Sequence, residues 1–318
     1  MTNVSSADEL HVVFGTGPLG RAVMRELVVQ GKRVRMINRS GKSEAQTNGV
    51  EFVASDAFDP QKVRTVTGGA TVVYQCAQPA YQEWVTKFIP LQDSIASGVA
   101  ANGAKLIVAE NVYMYGEVDG PIREDLPYHA TTRKGKVRAE MAEKLLAADK
   151  SGKLRVAIGR GSDYFGPGVL ESSLGARAIY PALKGKNAVL LGNIDLAHTF
   201  TYIDDFGKAL VVLGQHDEAL GQAWHVPNAE SLTQRELMTL FFEEIGAPPK
   251  MSGMGTLTMR FAGIFIPGAR EMVEMMYEFE KPFIVDSSKF EHAFGIHATP
   301  TRRAIKNTLA WYREHPPK

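Results

Sequence analysis

Short apolar runs alternate with amphipathic stretches through the first half of the chain. The apolar runs are rich in Val and Ile, which favours buried strands, and the stretches between them repeat at a helical spacing. This alternation predicts an α/β fold with a doubly wound parallel sheet that is covered by helices on both faces. Strands are predicted at Leu10–Phe14, Arg33–Ile37, Glu51–Val53, Thr71–Gln75, Lys105–Ala109 and Leu154–Ile158, and helices at Leu19–Val29, Tyr81–Ala101 and Thr132–Ala148.

The alternation becomes less regular after Arg160, where Gly161–Gly168 is rich in glycine and polar residues. Residues 166–318 are interpreted mainly as a smaller substrate-binding region. Residues 1–165 form the principal domain, with further sheet contributions from about 188–226, where the chain returns to the sheet. The later predicted elements are helices at Asp205–Gly214, Thr233–Ile245 and Pro300–Tyr312 and a strand at Ala223–Val226.

Composition narrows the possible partners and the compartment. The chain has 318 residues, 36 basic and 35 acidic side chains and a net charge of +1, so its overall charge favours neither nucleic acid nor a membrane as partner. Cys76 is the single cysteine, which excludes an internal disulfide, and the histidines show no metal-ligand spacing. The chain start lacks the pattern of a secretory signal, and the apolar stretch Phe261–Pro267 is too short to span a bilayer. A cytoplasmic protein without a metal is expected.

A glycine-rich turn follows the first strand directly and opens a helix, which is the setting of a Rossmann dinucleotide site. In such a site Gly15 permits the tight turn, Gly17 lets the backbone approach a pyrophosphate, and Gly20 allows the helix to pack closely on the strand. The helix N-terminus adds free N–H groups and partial positive charge. The residues assigned to this turn are Gly15, Thr16, Gly17, Pro18, Leu19 and Gly20.

The end of the second strand favours NADP(H) over NAD(H). A site for NAD usually places a carboxylate here to bind the ribose 2′-hydroxyl, whereas this chain has the neutral Asn38 followed by Arg39. A guanidinium can bind a 2′-phosphate, and Ser40 can add a hydroxyl contact. The alternative is that Arg39 is an ordinary solvated arginine at a strand end.

Asp56 and Ala57 follow the third strand and are assigned to the adenine edge of the cofactor. Asp56 is equally well explained as the cap of a helix that starts near Pro60, and both interpretations stay open.

Several further motifs, in order along nearly the whole chain, identify a family. They are Asp56-Ala57, Cys76-Ala77-Gln78, Asn111-Val112-Tyr113-Met114-Tyr115-Gly116, Lys136-Val137-Arg138-Ala139-Glu140, Arg160 with Tyr164-Phe165-Gly166-Pro167-Gly168, and Phe200-Thr201-Tyr202-Ile203-Asp204-Asp205. With the glycine turn, they make the chain resemble the extended and atypical short-chain dehydrogenase/reductases, the NAD-dependent epimerase/dehydratase-like group. The resemblance implies cofactor contacts from Ala77, Gln78, Lys136, Gly161, Ser162 and Tyr164, and substrate contacts from Tyr81, Tyr113, Asp163 and His198.

The catalytic residues depart from the family pattern. Its members use a serine or threonine, a tyrosine and a lysine, with the tyrosine four residues before the lysine. Here Lys136 fits the lysine position, but Thr132 stands in the tyrosine position and Asn111 in the serine position. A threonine does not ionise near neutral pH, so it cannot take the tyrosine's role, and Tyr113 is a candidate for a relocated proton donor, with Asn111 donating an amide N–H to the substrate oxygen. Lys136 can position the cofactor and, if buried, can itself become a proton donor of lowered pKa. Tyr81, Tyr128 and Tyr164 are less favoured substitutes. Each tyrosine is also explained as an ordinary packed aromatic.

Sugar-nucleotide members of the family hold a diphosphate with arginines, and neither arginine is present here. One position holds His198, and the other falls in the stretch Glu280-Lys281-Pro282-Phe283. The methionines between Met251 and Met276, with Phe261, Phe265 and Phe283, favour an apolar pocket, although methionines at helical spacing also suit a simple core.

The resulting hypothesis is an NADP(H)-dependent oxidoreductase that reduces a small, largely apolar carbonyl or enone compound. The alternative is a non-catalytic NADP(H)-binding sensor, since the replacements at Thr132 and Asn111 are what such a loss would leave. A sugar-nucleotide epimerase or dehydratase is disfavoured by the missing arginines and tyrosine.

Two helical stretches, Tyr81–Ala101 and Thr132–Ala148, resemble the pair through which the family dimerises, so a homodimer is expected. The basic run at 133–138 is interpreted as a solvated helix start that contains one functional lysine.

Overall fold

The computed structural model describes residues 9–43 and 47–317, and its chain divides into two units. Of the described residues, the first unit comprises 9–43, 47–110, 136–160 and 206–224, and the second comprises 111–135, 161–205 and 225–317. The predicted division at residue 165 differs from these units because the chain passes between them repeatedly. Hydrophobic periodicity marks each element but not the unit in which the element packs.

A seven-stranded sheet organises the first unit in the described part of the chain. Its spatial order is β11-β6-β5-β4-β1-β2-β3. From the centre, β1, β2 and β3 follow one another towards one edge and β4, β5 and β6 towards the other, so the order reverses between β1 and β4. The six strands β1 to β6 pair in parallel. Ligands bind at such a switch point, beyond the carboxyl ends of the strands. The strands are β1 (Leu10–Phe14), β2 (Arg33–Asn38), β3 (Val50–Ala54), β4 (Ala70–Gln75), β5 (Lys105–Glu110), β6 (Arg155–Arg160) and β11 (Ala223–His225).

The central strands are buried on both faces, as a doubly covered parallel sheet requires. Leu106, Ile107 and Val108 are successive residues of β5, and all three are inaccessible to solvent. The covering helices pack closely on one another: a Cβ at Gly98 would lie 2.5 Å from a Val63 methyl group. These helices are α1 (Pro18–Val29), α2 (Pro60–Val66), α3 (Trp84–Ala100), α4 (Arg133–Lys150) and α6 (Ile203–Gln215).

The second unit is built from short strands in two-stranded pairs and from helices. The strands are β7 (Asp163–Phe165), β8 (Ala188–Leu191), β9 (Ala197–His198), β10 (Phe200–Tyr202), β12 (Leu232–Thr233) and β13 (Met251–Met254). The helices are α5 (Ala176–Leu183), α7 (Gln234–Ile245), α8 (Thr256–Phe265), α9 (Pro267–Met272), α10 (Ser288–Phe294) and α11 (Thr301–Glu314). Of these helices, α5, α7 and α11 share one hydrophobic core, and α8 and α9 pack on another buried cluster.

The α/β fold and its doubly wound parallel sheet are confirmed, but the region 188–226 differs from the prediction. Of this region only β11 joins the central sheet, while β8 pairs with β13 and β10 pairs with β7. Strands of two to four residues carry too few positions for a periodic signal, so their partners could not be read from the sequence. No helix within the described ranges is both long enough and apolar enough to cross a bilayer.

Candidate functional site

The glycine turn lies between β1 and α1 in the first unit, at the switch point of the sheet. The Gly15 amide donates to the Ile37 carbonyl oxygen at 3.0 Å, which ties the turn to the end of β2. Gly17 is the N-cap residue of α1 and offers no side-chain acceptor to the first-turn amides, and Pro18 occupies the first turn. The helix therefore presents uncapped N–H groups and the positive end of its dipole at the turn.

Two of the glycines are required by close packing, and the third faces open space. Gly15 has φ of +101°, and a Cβ on it would lie 2.8 Å from the Ala77 amide nitrogen. A Cβ on Gly20 would lie 2.0 Å from the Gly15 carbonyl oxygen. A Cβ on Gly17, in contrast, would meet nothing within 4 Å. The turn therefore fits a dinucleotide, because the open space lies where the backbone has to approach a pyrophosphate.

Asn38 organises the loop that follows β2. Its Oδ1 accepts hydrogen bonds from the backbone amides of Ser40 at 3.1 Å and Gly41 at 2.6 Å, and its Nδ2 donates to the Lys42 carbonyl oxygen at 2.8 Å. Nδ2 also lies 3.4 Å from the Thr16 hydroxyl, which links this loop to the glycine turn. The loop leaves Arg39 exposed, and its guanidinium makes no ion pair among the described residues. Arg39 is thus available to an anion.

Asp56 does not cap the second helix, so that alternative is wrong. The N-cap of α2 is Asp59, whose carboxylate accepts from the amides of Gln61 and Lys62. Asp56 lies in the preceding turn, where its Oδ1 accepts from the Phe58 amide at 3.0 Å. The adenine-edge assignment of Asp56 and of the half-buried Ala57 stays a prediction.

The end of β4 runs beside the glycine turn. The Cys76 amide donates to the Phe14 carbonyl oxygen at 2.9 Å, and the following Ala77 lies against Gly15. Burial raises the pKa of the Cys76 thiol to about 12, so this cysteine stays protonated at neutral pH. Ala77 therefore borders the turn, the next residue, Gln78, is exposed, and Cys76 is an inert neighbour. The assignment of Ala77 and Gln78 to the cofactor stays a prediction.

Lys136 lies in the first turn of α4 and is exposed, as is Arg133, whereas Lys134 and Arg138 are buried. In the second unit, Lys134 is inaccessible to solvent and its ammonium pairs with the carboxylates of Glu271 and Glu274. In the first unit, the Arg138 guanidinium lies over the rings of Trp84 and Phe88, 4.4 and 4.1 Å from their centroids. The interpretation of this run as a solvated helix start is wrong for Lys134 and Arg138, which distant carboxylates and aromatic rings neutralise and cover. It holds for Arg133 and Lys136, which are exposed.

Thr132, Asn111 and Tyr113 lie near one another in the second unit. The Thr132 hydroxyl accepts from the Gly135 amide at 3.1 Å, so the residue in the tyrosine position caps the start of α4. A Cβ on Gly135 would lie 2.8 Å from the Thr132 hydroxyl and 2.7 Å from the Tyr113 carbonyl oxygen. The Asn111 Oδ1 accepts from the Tyr113 amide at 3.3 Å, and its Nδ2 makes no hydrogen bond with a described residue. Asn111 thus retains a free amide donor.

Asp163 and His198 are brought together in the second unit. The His198 Nε2 lies 2.9 Å from the Asp163 Oδ2, and the imidazole is 2% exposed. The ring is packed among three phenylalanines, Phe200, Phe279 and Phe283, at centroid distances of 4.5, 4.9 and 5.1 Å. A cavity of about 20 Å³ borders His198 and has room for one water molecule rather than for a substrate.

The remaining predicted residues lie in several elements. Gly161 and Ser162 are buried directly after β6, and the Ser162 amide donates to the Thr201 hydroxyl at 2.9 Å. Tyr164 is half-buried on β7, and in the first unit Tyr81 packs edge-on against Trp84 with ring centroids 4.9 Å apart.

Glu278 was not found from the sequence. It is fully buried in the second unit, and its Oε1 accepts no hydrogen bond from the described residues. Burial raises the pKa of this carboxyl well above its usual range, and the nearby charge of Asp163 adds to the effect. Its position between Tyr277 and Phe279 in an apolar stretch is the one signal that could have identified a buried acid.

The expected apolar pocket is contradicted at two of its residues. Phe261 and Phe265 lie on the outer face of α8 and are 68% and 74% exposed. Met259, Met275 and Met276 are buried, as a simple core explains.

Comparison with known proteins gives a consistent result. The model of the NAD dependent epimerase/dehydratase family matches residues 12–226. A 2-alkyl-3-oxoalkanoate reductase from Stenotrophomonas maltophilia (strain K279a) is 28% identical over 259 residues, which cover 74% of this chain and 76% of the relative. A second protein of that name, from Shewanella oneidensis, is 24% identical over 304 residues, which cover 89% of this chain and 78% of the relative.

The fold is also found among solved structures. A dTDP-glucose 4,6-dehydratase from Streptomyces venezuelae, crystallised with NAD bound, superimposes with a TM-score of 0.78 at 16% identity, covering 96% of this chain and 97% of that one. At this identity the similarity concerns the fold.

Proposed function

The chain belongs to the NAD dependent epimerase/dehydratase family, a family of NAD(P)-dependent enzymes, and from this premise we propose that it is an NADP(H)-dependent reductase. Its substrate is a small molecule with a carbonyl group in a largely apolar frame. The names of the two relatives support this assignment, since a 2-alkyl-3-oxoalkanoate carries one ketone and one carboxylate on an otherwise alkyl frame.

The cofactor preference rests on Arg39. Its guanidinium is exposed and makes no ion pair among the described residues, and the loop that carries it is tied to the glycine turn through Asn38. A 2′-phosphate bound by Arg39 and Ser40 would gain charge-assisted hydrogen bonds and would meet no carboxylate at this strand end. Ala77, Gln78 and Lys136 complete the set that would hold the dinucleotide.

The observation that carries the substrate proposal is the environment of His198. In sugar-nucleotide members of the family an arginine at this position holds the diphosphate. Here the imidazole is buried among phenylalanine rings and directed at the Asp163 carboxylate, which would repel a diphosphate. These contacts argue against a diphosphate at this position and support a substrate with a largely apolar frame.

Bound NADPH would supply the hydride, and the residues of the chain would position the carbonyl and provide the proton. We assign the Asn111 Nδ2 amide as a donor to the substrate oxygen, where negative charge develops. We assign the Tyr113 phenol as the proton donor, because Thr132 caps a helix and its aliphatic hydroxyl is a far weaker acid than a phenol.

The cofactor assignment is tested by calorimetric titration with NADPH and NADH. Loss of a charge-assisted contact costs about 1.5–3 kcal/mol, so Arg39→Ala should weaken NADPH binding by roughly 10- to 100-fold and leave NADH binding nearly unchanged. Arg33→Ala, at the other end of the same strand, is the matched control and should change neither affinity. Equal binding of NADH and NADPH by the wild type would contradict the proposal.

The chemistry is tested by following NADPH consumption with a series of 2-alkyl-3-oxo acids and plain ketones of increasing chain length. Tyr113→Phe should lower kcat by about 100-fold or more with little change in NADPH affinity, and Tyr128→Phe serves as the aromatic control. NADPH binding without turnover of any carbonyl would contradict the reductase and favour the non-catalytic sensor.

A further inference from the structure

Helix α8 is apolar on the face that packs and on the face that points to solvent. Its inner side places Met259 in a buried cluster that includes Met276 and Phe279, and the buried Gly263 packs against Arg270. On its outer side and in the residue that follows it, five large apolar side chains are 56% to 80% exposed. They are Leu257, Phe261, Ile264, Phe265 and Ile266.

The exposed side chains of the helix form one continuous stripe. At about 100° per residue, Leu257, Phe261, Ile264 and Phe265 fall within an arc of about 100°, the width of an ordinary core-facing stripe. The opposite face is already packed. An apolar stripe of this kind on an exposed helix marks a site of interaction with a protein or a membrane surface.

The charge around the stripe is mainly positive. From Ile245 to Arg270 the sequence contains Lys250, Arg260 and Arg270 and no Asp or Glu. The acidic residues nearest in sequence after it, Glu271 and Glu274, are paired with the buried Lys134. Glu280, beside the start of the helix, accepts a hydrogen bond from Thr256 and is the one of these three carboxylates that has no cation partner among the described residues. The net charge of +1 for the whole chain hides this local basic region.

A groove lies beside the stripe and is lined by Arg260, Gly263, Ile264, Arg270 and Val273, with a volume of about 370 Å³. The Arg270 Nε donates to the Gly263 carbonyl oxygen at 3.0 Å, which fixes this guanidinium at the end of α8. Arg260 makes no ion pair with any described residue. Two guanidinium groups beside an apolar stripe match phosphate headgroups beside acyl chains.

We propose that α8 docks on the surface of an anionic phospholipid bilayer, with the stripe among the acyl chains and Arg260 and Arg270 at the phosphates. A neutral protein partner would use the stripe but would gain nothing from the basic surroundings, which is why a lipid surface fits better. The proposal does not depend on the cofactor or on the substrate.

The test is sedimentation of the full-length protein with large unilamellar vesicles. Vesicles of phosphatidylcholine with phosphatidylglycerol, one to one, are compared with vesicles of phosphatidylcholine alone, at low and at high salt. We expect binding to the anionic vesicles that weakens in high salt. Two variants are compared with the wild type: the double variant Phe261→Ser/Phe265→Ser and the single variant Arg260→Gln. If the double phenylalanine variant fails to fold, the double variant Leu257→Ser/Ile264→Ser takes its place. Val29→Ser, at an 83% exposed valine of α1, is the control, and circular dichroism checks folding.

Each apolar side chain removed from the stripe should weaken binding about tenfold, and the loss of one arginine should weaken it about fivefold. No binding of the wild type to anionic vesicles would overturn the proposal, as would equal binding to both kinds of vesicle or unchanged binding of the serine variants. Self-association that is removed by the serine variants, without vesicle binding, would overturn it in favour of a second copy of the chain.

Discussion

Replacing Arg160 with methionine removes one partner of a buried ion pair at the carboxyl end of the sheet. Arg160 and Glu110 are register partners at the ends of β6 and β5, and both side chains are inaccessible to solvent. The Arg160 Nε lies 3.2 Å from the Glu110 Oε2. Burial raises the pKa of Glu110, while the guanidinium groups of Arg160 and Arg138 oppose that rise. Methionine keeps the bulk of the side chain but leaves the carboxyl without its partner.

The expected cost follows from the geometry. At 3.2 Å and an effective dielectric constant of about 20, the attraction is about 5 kcal/mol. Arg138 remains and retains part of this stabilisation, so the free energy of unfolding should fall by about 3–4 kcal/mol. Because the unpaired carboxyl gains a still higher pKa, it can take up a proton, and the loss should be larger at pH 8 than at pH 5.

The assay is urea denaturation at both pH values. The matched control is Arg155→Met on the same strand, where the guanidinium pairs with Asp217 at 3.0 Å on the exposed surface. That pair should contribute less than about 1 kcal/mol. Adding Glu110→Leu to Arg160→Met should recover most of the lost stability. Equal losses for Arg160→Met and Arg155→Met, or no recovery in the double variant, would refute the reasoning.

Two further predictions concern the first unit. Gly20→Ala places a Cβ 2.0 Å from the Gly15 carbonyl oxygen and should lower both the melting temperature and the affinity for NADPH. Gly17→Ala places a Cβ that meets no atom within 4 Å and should lower the affinity alone. Equal melting temperatures for the two variants would count against this explanation. Burial lowers the pKa of His11 in the folded protein to about 4, so between about pH 4 and 6.5 the unfolded chain binds more protons than the folded one. The free energy of unfolding should therefore fall by roughly 3 kcal/mol as the pH falls from 6.5 towards 4. Urea denaturation across this range should show a flatter pH profile for His11→Gln, and an unchanged profile would contradict the assignment.

The sequence by itself determined the parts of the protein that are local in the chain. The Val- and Ile-rich runs specify strands that are buried on both faces, and the alternation with helices specifies a parallel sheet. The glycine turn could be identified because Gly15 and Gly20 are fixed by packing within one strand, one turn and one helix. Even a local assignment can be ambiguous: from the sequence Asp56 is a candidate for the cap of α2, but Asp59, three residues later, fits the same pattern and is the residue that caps the helix.

Tertiary structure alone decided which polar and apolar groups are buried. Lys134 and Lys136 lie in one basic run, yet Lys134 is buried because Glu271, 137 residues later in sequence, reaches its ammonium, and Lys136 is exposed. Phe261 and Met259 lie on one apolar helix, and only the neighbours that cover Met259 distinguish them. The hydrophobic periodicity shows which side chains share a face of a helix or strand, but whether that face is buried depends on which other segments pack against it. For this reason the charge and the exposed surface of the second unit could not be derived from the sequence.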